Sequence, residues 1–246
     1  MQLADIPAIS HQNLPALTTA QMVEVDRLMM EEFGIQLLQM MENAGRNLAD
    51  LAQAMLGGEA LDRPVLVLAG RGNNGGGGLA AARHLANRGA EVQVVLARPM
   101  ESFADAPAQQ LEALLAMGVS VMDAGDGWEL PSADLILDAI IGYGLKGDPR
   151  DAAADLIQLA NSHPAPILAL DAPSGLDAGS GRLYHPSIQA DATLTLALPK
   201  QGLLAAPQAV GELFLADISV PPILYADLGL DLPPIFAAGP LLRVAL

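Results

Sequence analysis

The chain has 246 residues, of which 52% are hydrophobic and 16% are charged. This length fits one large α/β domain or two small ones, with enough apolar material for a buried core. Acidic residues outnumber basic ones by 28 to 12, which gives a net charge of −16. Nucleic acids and anionic membranes bind basic surfaces, so this charge excludes both as partners. The absence of cysteine excludes disulfides and thiolate metal sites.

The N-terminal residues carry no basic segment followed by an apolar stretch, so the sequence predicts no signal peptide. No uncharged apolar run reaches the length that crosses a bilayer. We therefore expect a cytoplasmic protein.

Two helices are predicted near the start of the chain. Thr18 and Gln21 have the spacing of a capping box, which begins a helix that Gly34 ends. The second helix carries apolar residues at steps of three and four from Leu37 to Met55, which places one apolar stripe against a core. We expect this helical pair, at about residues 18–56, to pack beside a sheet.

Apolar strands then alternate with helices. Strand-like runs cover residues 65–69, 92–96, 135–141, 167–170, 193–198 and 212–216, and helical patterns cover residues 79–88, 108–117 and 152–160. This alternation predicts an α/β fold whose mostly parallel sheet has helices on both faces. Without a repeat or a linker, we expect a single domain over residues 1–246, with its sheet-forming core at about 63–220. The tail at about 225–246 fits no pattern that assigns it a place.

Polar residues interrupt the pattern where three of the predicted strands end. A glycine-rich turn at 70–78 follows the first strand and contains Asn73 and Asn74. Asp138 lies near the end of the third strand, and Asp171 follows the fourth. The carboxyl ends of parallel strands meet at one edge of a sheet, where ligands bind. The sequence therefore predicts a ligand site formed by these three segments.

The turn itself has several interpretations. Gly70-Arg-Gly-Asn-Asn-Gly75 fits the dinucleotide-binding pattern Gly-x-Gly-x-x-Gly. Such a turn is usually followed about 20 residues later by an acid that binds the ribose, but the second strand ends at Ala97 and Arg98. This disfavours an NAD dehydrogenase and leaves an NADP-dependent oxidoreductase in which Arg98 binds the extra phosphate. A tight turn without a ligand is the other alternative.

The charged residues also have alternative roles. A single Asp after a strand commonly caps a helix, but Asp138 and Asp171 each precede a turn that contains glycine or proline, which favours a site. Lys146 and Lys200 follow strand ends in a chain poor in bases. Both are interpreted either as phosphate contacts or as solvated loop side chains.

Four sets of residues occur in a specific order. They are Leu17-Thr-x-x-Gln-Met-x-x-x-Asp26 with Met41-Glu-Asn-Ala-Gly-Arg46, Gly70-Arg-Gly-Asn-Asn-Gly-Gly-Gly-Gly78, Asp138-Ala-Ile-Ile-Gly-Tyr-Gly-Leu145, and Leu170-Asp-Ala-Pro-Ser-Gly-Leu-Asp177. From about residue 16 to about 223, the chain resembles the NAD(P)H-hydrate epimerases, also known as the YjeF N-terminal or apolipoprotein A-I-binding-protein-like domain. The resemblance implies a Rossmann-like three-layer sandwich.

The resemblance also implies an activity, which is the interconversion of the R and S forms of hydrated NADH and NADPH (NADHX and NADPHX). These damaged cofactors carry a hydroxyl at C6 of the reduced nicotinamide ring. The implied partners are this dinucleotide substrate and a second copy of the chain in a homodimer. The S product would pass to a separate NAD(P)H-hydrate dehydratase, which couples the two enzymes functionally.

Site residues follow from the same resemblance. The cofactor would lie against Asn73, Asn74, Gly75, Gly76, Gly77, Gly142, Tyr143, Gly144, Leu145, Lys146, Gly147 and Asp148. Asp171 would face the reacting ring as the catalytic residue. Asn74, Asp138 and Ser174 would hold one potassium ion, and oxygen donors of these kinds suit simple cations.

The chemistry of the implied reaction explains the need for a carboxyl group. When the C6 hydroxyl leaves, the ring nitrogen stabilises the resulting cation, and water that returns from the other face gives the epimer. Asp171 would assist by protonating the leaving hydroxyl or by placing an anion near the cation.

Four residues depart from the family pattern, among them Arg71 in place of a common Pro and Ser219 in place of the usual Gly. Gly77 stands where the family loop usually has Asp, and Tyr143 stands where Thr is common. The missing acid allows a second hypothesis, a non-catalytic ligand-binding or scaffold protein with the same fold. The presence of Asp138, Asp171 and Ser174 favours the enzyme.

Overall fold

The computed structural model of the chain describes residues 1–125 and 129–246. The strands are β1 Ala8–Ser10, β2 Pro64–Ala69, β3 Glu91–Leu96, β4 Ser120–Asp123, β5 Leu135–Ala139, β6 Ile167–Leu170, β7 Ala192–Leu196, β8 Glu212–Ala216 and β9 Leu241–Ala245. The helices are α1 Thr19–Glu31, α2 Leu37–Met55, α3 Asn73–Asn87, α4 Asp105–Ala116, α5 Ala152–Ser162, α6 Gln201–Ala205, α7 Pro207–Val210 and α8 Pro222–Asp227.

The strands form one sheet in the order β1-β9-β8-β7-β6-β5-β2-β3-β4. Neighbouring strands are parallel except for β8 and β9. From β2 the chain proceeds outward through β3 and β4, and it then returns to β5 on the other side of β2. This reversal of direction creates a crevice at the carboxyl ends of β2 and β5, which is where open parallel sheets bind ligands.

Helices cover both faces of the sheet, as predicted. Alternate residues of β2 point to opposite faces, so Val65 and Val67 join one buried cluster with residues of α2 and α3. Leu66 and Leu68 join a second cluster with residues of α5. The α/β prediction of a mostly parallel, doubly covered sheet is therefore confirmed.

The two N-terminal helices are also confirmed. The backbone N–H of Gln21 donates to Thr18 Oγ1 at 3.2 Å, and that of Thr18 donates to Gln21 Oε1 at 2.9 Å. These bonds satisfy backbone donors at the N-terminus of α1. Both helices bury one face, and no helix of the described residues is long and apolar enough to span a membrane.

The glycine-rich segment differs from its prediction as a turn. Helix α3 begins at Asn73, six residues before the predicted start. Both asparagines and the four glycines that follow them are therefore helical. A Cβ added to Gly75 would lie 1.6 Å from the carbonyl oxygen of Gly70, and one on Gly78 would lie 2.4 Å from Ala139 Cβ. The glycines therefore allow the helix to pack directly against the strand ends, despite their low helix propensity.

The C-terminal tail has a place that the sequence did not indicate. Its strand β9 pairs antiparallel with β8 and parallel with β1, so the two ends of the chain lie side by side in the sheet. Strand β4 was also not predicted, because it has only four residues and is partly exposed. The strand predicted at 135–141 ends at Ala139.

Candidate functional site

A cavity of about 350 Å³ opens at the carboxyl ends of β2, β5 and β6. Its walls come from α1, α2, the first turns of α3 and the segment that follows β5, which we call the β5 loop (residues 140–151). The polar residues that line it are Asp26, Asn73, Asn74, Tyr143 and Asp171. Apolar lining residues include Met22, Met40, Met41, Leu170 and Ile218. The cavity thus combines an apolar enclosure with a few converging polar groups, as small-molecule sites do.

Asp171 lies directly after β6 and forms a buried ion pair. Its Oδ1 accepts a hydrogen bond from Lys200 Nζ at 2.5 Å, and the side chains are 5% and 0% exposed respectively. Lys200 also donates to Thr195 Oγ1 at 3.1 Å and to the Leu196 carbonyl oxygen at 2.8 Å, so its three protons all have acceptors. The second carboxylate oxygen of Asp171 accepts from the backbone N–H of Tyr143 at 2.9 Å. Asp171 is therefore a charged, fixed group at the cavity wall.

Asp138 on β5 is fully buried and lies beside Ser174. The carboxylate accepts from the Ser174 hydroxyl at 2.6 Å, from the Ser174 backbone N–H at 2.8 Å and from the Ile140 N–H at 3.2 Å. The Ser174 hydroxyl oxygen accepts from the Ile141 N–H at 2.9 Å. Burial raises the pKa of Asp138 to about 6, and these hydrogen bonds act in the opposite direction. Within the described residues, no cationic side chain forms a salt bridge with Asp138.

Asn74 contributes an amide from the first turn of α3. Its Nδ2 is buried and has no hydrogen-bond partner among the residues that the structure describes. A Cβ on Gly142 would lie 3.1 Å from Asn74 Oδ1 and 3.0 Å from Asp171 Oδ2, so glycine at 142 makes room for both side chains. A buried amide donor without a partner costs free energy, which points to a ligand atom that accepts from it.

Tyr143 joins the β5 loop to helix α1. Its hydroxyl donates to Asp26 Oδ2 at 2.5 Å. Burial raises the pKa of Asp26 and of Tyr143, and the nearby carboxylate of Asp26 raises that of Tyr143 further. The phenol therefore remains protonated and acts as the donor of this pair.

Gly77 faces the cavity where a side chain would meet Leu170. A Cβ on Gly77 would lie 2.8 Å from Leu170 Cδ2. The volume beside residue 77 is thus partly filled by the last side chain of β6. This part of the wall is apolar in the present chain.

The predicted site residues fall into three groups. Those that line the cavity are Asn73, Asn74, Gly77, Gly142, Tyr143, Gly144 and Asp171. Gly75, Gly76, Asp138 and Ser174 are buried and do not line the cavity. Leu145, Lys146, Gly147 and Asp148 lie further along the β5 loop, where Lys146 is exposed and Asp148 Oδ1 accepts from the His185 N–H at 3.0 Å.

Both interpretations of Lys200 were wrong. It is neither a solvated loop side chain nor a phosphate contact, because its ammonium group is buried and bound to Asp171. Asp26 was not identified as a site residue either. The helical spacing does place Asp26 on the buried side of α1, since it lies four residues after Met22 and three before Met29, both of which are buried. An acid on the buried side of an amphipathic helix indicates a specific partner.

Comparison with known proteins agrees with the resemblance. Residues 37–202 match the family model described as "YjeF-related protein N-terminus". A protein named NAD(P)H-hydrate epimerase from Dehalogenimonas lykanthroporepellens is 44% identical over 95% of this chain and 94% of its own length. One of the same name from Truepera radiovictrix is 38% identical over 93% of this chain and 100% of its own.

Two further similarities concern fold and domain context. A bifunctional NAD(P)H-hydrate repair enzyme from Moorella thermoacetica is 42% identical over 85% of this chain, which corresponds to 41% of that protein. A crystal structure of the yeast protein ynu0 superposes with a TM-score of 0.81 at 24% identity, covers 94% of this chain and 100% of that one, and supports the fold. From the match to the family model and these identities, the chain belongs to the NAD(P)H-hydrate epimerase family.

Proposed function

We propose that the protein is an epimerase that interconverts the R and S forms of NADHX and NADPHX. The observation that carries the proposal is the Asp171 carboxylate, which is buried, paired with Lys200 and placed at the wall of a cavity at the switch point of the sheet. Family membership selects this reaction among those that such a cavity supports.

In this reaction Asp171 stabilises the cation that forms when the C6 hydroxyl leaves the ring. A carboxylate whose two oxygens are already held by Lys200 and Tyr143 is oriented before the reaction begins. The ion pair with Lys200 fixes the carboxylate as a counter-ion for the ring cation, which favours electrostatic stabilisation. The departing hydroxyl takes its proton from solvent, and the water that adds to the other face returns one. The apolar side chains of Met40 and Met41 limit the access of bulk water to the cation.

The dinucleotide is proposed to contact the segments 73–77 and 142–148. Asn73 begins α3, and the N-terminus of a helix offers backbone N–H groups and a positive dipole to phosphate oxygens. Lys146 is exposed on the β5 loop and adds a positive charge to a strongly acidic protein. We propose that these two features bind the pyrophosphate.

We also propose one potassium ion, held by Asn74, Asp138 and Ser174. The residues fit such an ion because Asp138 is a buried carboxylate without a salt-bridge partner in the described part of the chain, and the three side chains offer oxygen donors. The ion would supply the positive charge that this carboxylate lacks. Clusters of three or more His, Cys, Asp or Glu suited to a metal do not occur among the described residues, and the proposed set contains one such residue.

The remaining proposals concern context. We propose a cytoplasmic homodimer whose S product is consumed by a separate NAD(P)H-hydrate dehydratase. The existence of bifunctional repair enzymes among the relatives supports this functional coupling.

The test compares Asp171→Asn with Asp177→Asn. Both remove one carboxylate, but Asp177 lies outside the cavity, where its Oδ1 accepts from two backbone N–H groups and an Asn oxygen can replace it. The purified variants are mixed with R-NADHX, and epimerisation is followed through an S-specific dehydratase. We expect Asp171→Asn to lower kcat by about 100-fold or more and Asp177→Asn to retain activity. Full activity in a folded Asp171→Asn protein would contradict the proposed role.

A further inference from the structure

The Asp171 carboxylate is oriented by two donors of different rigidity. Lys200 is held in place by three acceptors and lies just after β7 in the core of the protein. The second donor is the backbone N–H of Tyr143, which belongs to the β5 loop. The orientation of Oδ2 therefore depends on what fixes this loop.

The backbone around Tyr143 has little intrinsic restraint. Gly142 and Gly144 flank the residue, and the loop has no helix or strand between Ala139 and Ala152. Glycine has access to more backbone conformations than any other residue, so this peptide has many competing orientations. The Ile141 N–H, which donates to Ser174 Oγ at 2.9 Å, anchors the loop on the near side of Gly142, so a contact beyond Gly142 is needed to select one of them.

The phenol of Tyr143 provides that contact. It donates at 2.5 Å to Asp26 on α1, a helix of 13 residues whose N-terminus is capped and whose buried face packs into the core. Tyr143 thus binds a fixed helix with its side chain and Asp171 with its backbone. Burial raises the pKa of Asp26, and the hydrogen bond from Tyr143 opposes this rise.

We propose that Tyr143 and Asp26 are positioning residues for the reaction, which hold the β5 loop so that its N–H fixes Asp171 in the reactive orientation. This inference rests on the proposed epimerase function. Neither side chain needs to touch the reacting atoms, because the effect passes through the backbone of residue 143.

The activity test uses Tyr143→Phe, which keeps the ring and removes the hydroxyl. We expect kcat to fall about tenfold, the size of one hydrogen bond, while KM changes less than about twofold. Asp26→Ala should cause a similar loss, and Asp26→Asn, which keeps an acceptor oxygen, a smaller one. The double variant Tyr143→Phe/Asp26→Ala should be no slower than either single variant, because both remove the same bond.

The matched control is Tyr225→Phe. The hydroxyl of Tyr225 is buried and has no hydrogen-bond partner within the described residues, so its removal should leave kcat unchanged. Additive losses in the double variant, or a normal kcat in both Tyr143→Phe and Asp26→Ala, would overturn the proposal.

Amide hydrogen exchange distinguishes a failure of this inference from a failure of the proposed function. In labelled protein, we expect the residue-143 amide to exchange at least about tenfold faster in Tyr143→Phe than in the wild type, with core amides unchanged. An amide that stays equally protected would overturn the inference even in an active enzyme. A wild type without epimerase activity would contradict the proposed function, and the exchange measurement would still decide whether Asp26 restrains the loop.

Discussion

At the scale of single residues, the free energy of unfolding depends on the buried ion pair of Lys200 and Asp171. Replacing Lys200 by Met leaves a buried carboxylate without its counter-charge, which we expect to lower the free energy of unfolding by about 3 kcal/mol. Urea unfolding measures this loss. The double variant Lys200→Met/Asp171→Asn should recover part of it, since no buried charge then remains. A single variant as stable as the wild type would show that the pair is not buried as described.

The buried carboxyl group of Asp138 makes the stability of the fold depend on pH. Burial raises its pKa from 3.8 to about 6, so the folded protein holds this proton more tightly than the unfolded chain does. This group therefore stabilises the fold below about pH 4, and its contribution is lost as the pH rises through about 6. A cation bound beside the carboxylate would offset the loss only where Asp138 is ionised.

We therefore expect potassium to raise the melting temperature more at about pH 7.5 than at about pH 5. Tetramethylammonium at the same ionic strength is the reference, because it screens surface charges without entering the site. Asp138→Asn should abolish the difference between the two salts. An equal effect of both cations on the wild type at about pH 7.5, where Asp138 is ionised, would contradict the potassium proposal.

The sequence identified some of these residues as site residues and did not reveal how others pair. Asp138 and Asp171 were identified because acids at the ends of apolar strands are conspicuous and parallel strands bring their ends together. The pairing of Asp171 with Lys200 was not predictable, since it depends on how the segment after β7 returns toward β6. The bond between Asp26 and Tyr143 likewise requires the position of α1 over the sheet, which no local pattern specifies.

At the scale of elements, the glycines at the start of α3 differ in what a side chain at each position would contact. A methyl group on Gly75 would meet the backbone oxygen of Gly70, whereas the one short contact of a methyl group on Gly77 would be with the end of the Leu170 side chain. We expect Gly75→Ala to lower the free energy of unfolding by about 2 kcal/mol or more. Gly77→Ala should change it by less than about 1 kcal/mol, because Leu170 can shift and alanine favours the helix.

Urea unfolding of the two variants provides the comparison. Both add one methyl group to the same helix, so each controls for the other. Equal stabilities would mean that α3 does not approach β2 as closely as the structure indicates.

The same helix shows why element boundaries were harder to predict than the elements. Six strands and the larger helices were predicted because short continuous apolar runs alternate along the chain with segments whose apolar residues recur at steps of three and four. The start of α3 was placed too late, since four consecutive glycines are typical of a turn when tertiary packing is unknown.

At the scale of the whole molecule, both ends of the chain complete one sheet. Strand β9 buries Leu241, Leu242 and Val244 and covers the edge that β8 would otherwise expose. Removing residues 239–246 should cost at least about 4 kcal/mol from this apolar burial and promote association through the exposed edge of β8. Sedimentation velocity and urea unfolding measure both effects, with Leu246→Ser, an exposed position, as the control. A monomeric truncated protein of normal stability would contradict this role.

The parallel core of the sheet was predicted because its strands and helices alternate locally along the chain. Strands β1 and β9 were not predicted. Strand β1 has only three residues, and the two strands pair with each other from opposite ends of the chain, which no local pattern indicates. The site lies at the switch point between β2 and β5, within the part of the sheet that the sequence indicated.

The proposed epimerase activity is tested most directly by the rate at which the wild-type protein epimerises R-NADHX. An S-specific dehydratase consumes the product, and the spontaneous rate is measured without the protein. We expect turnover well above the spontaneous rate that disappears in Asp171→Asn. If the wild type binds NADHX and does not accelerate epimerisation, the proposed epimerase function is wrong, and the molecule is instead a non-catalytic binding protein with an apolar wall at Gly77 and Leu170.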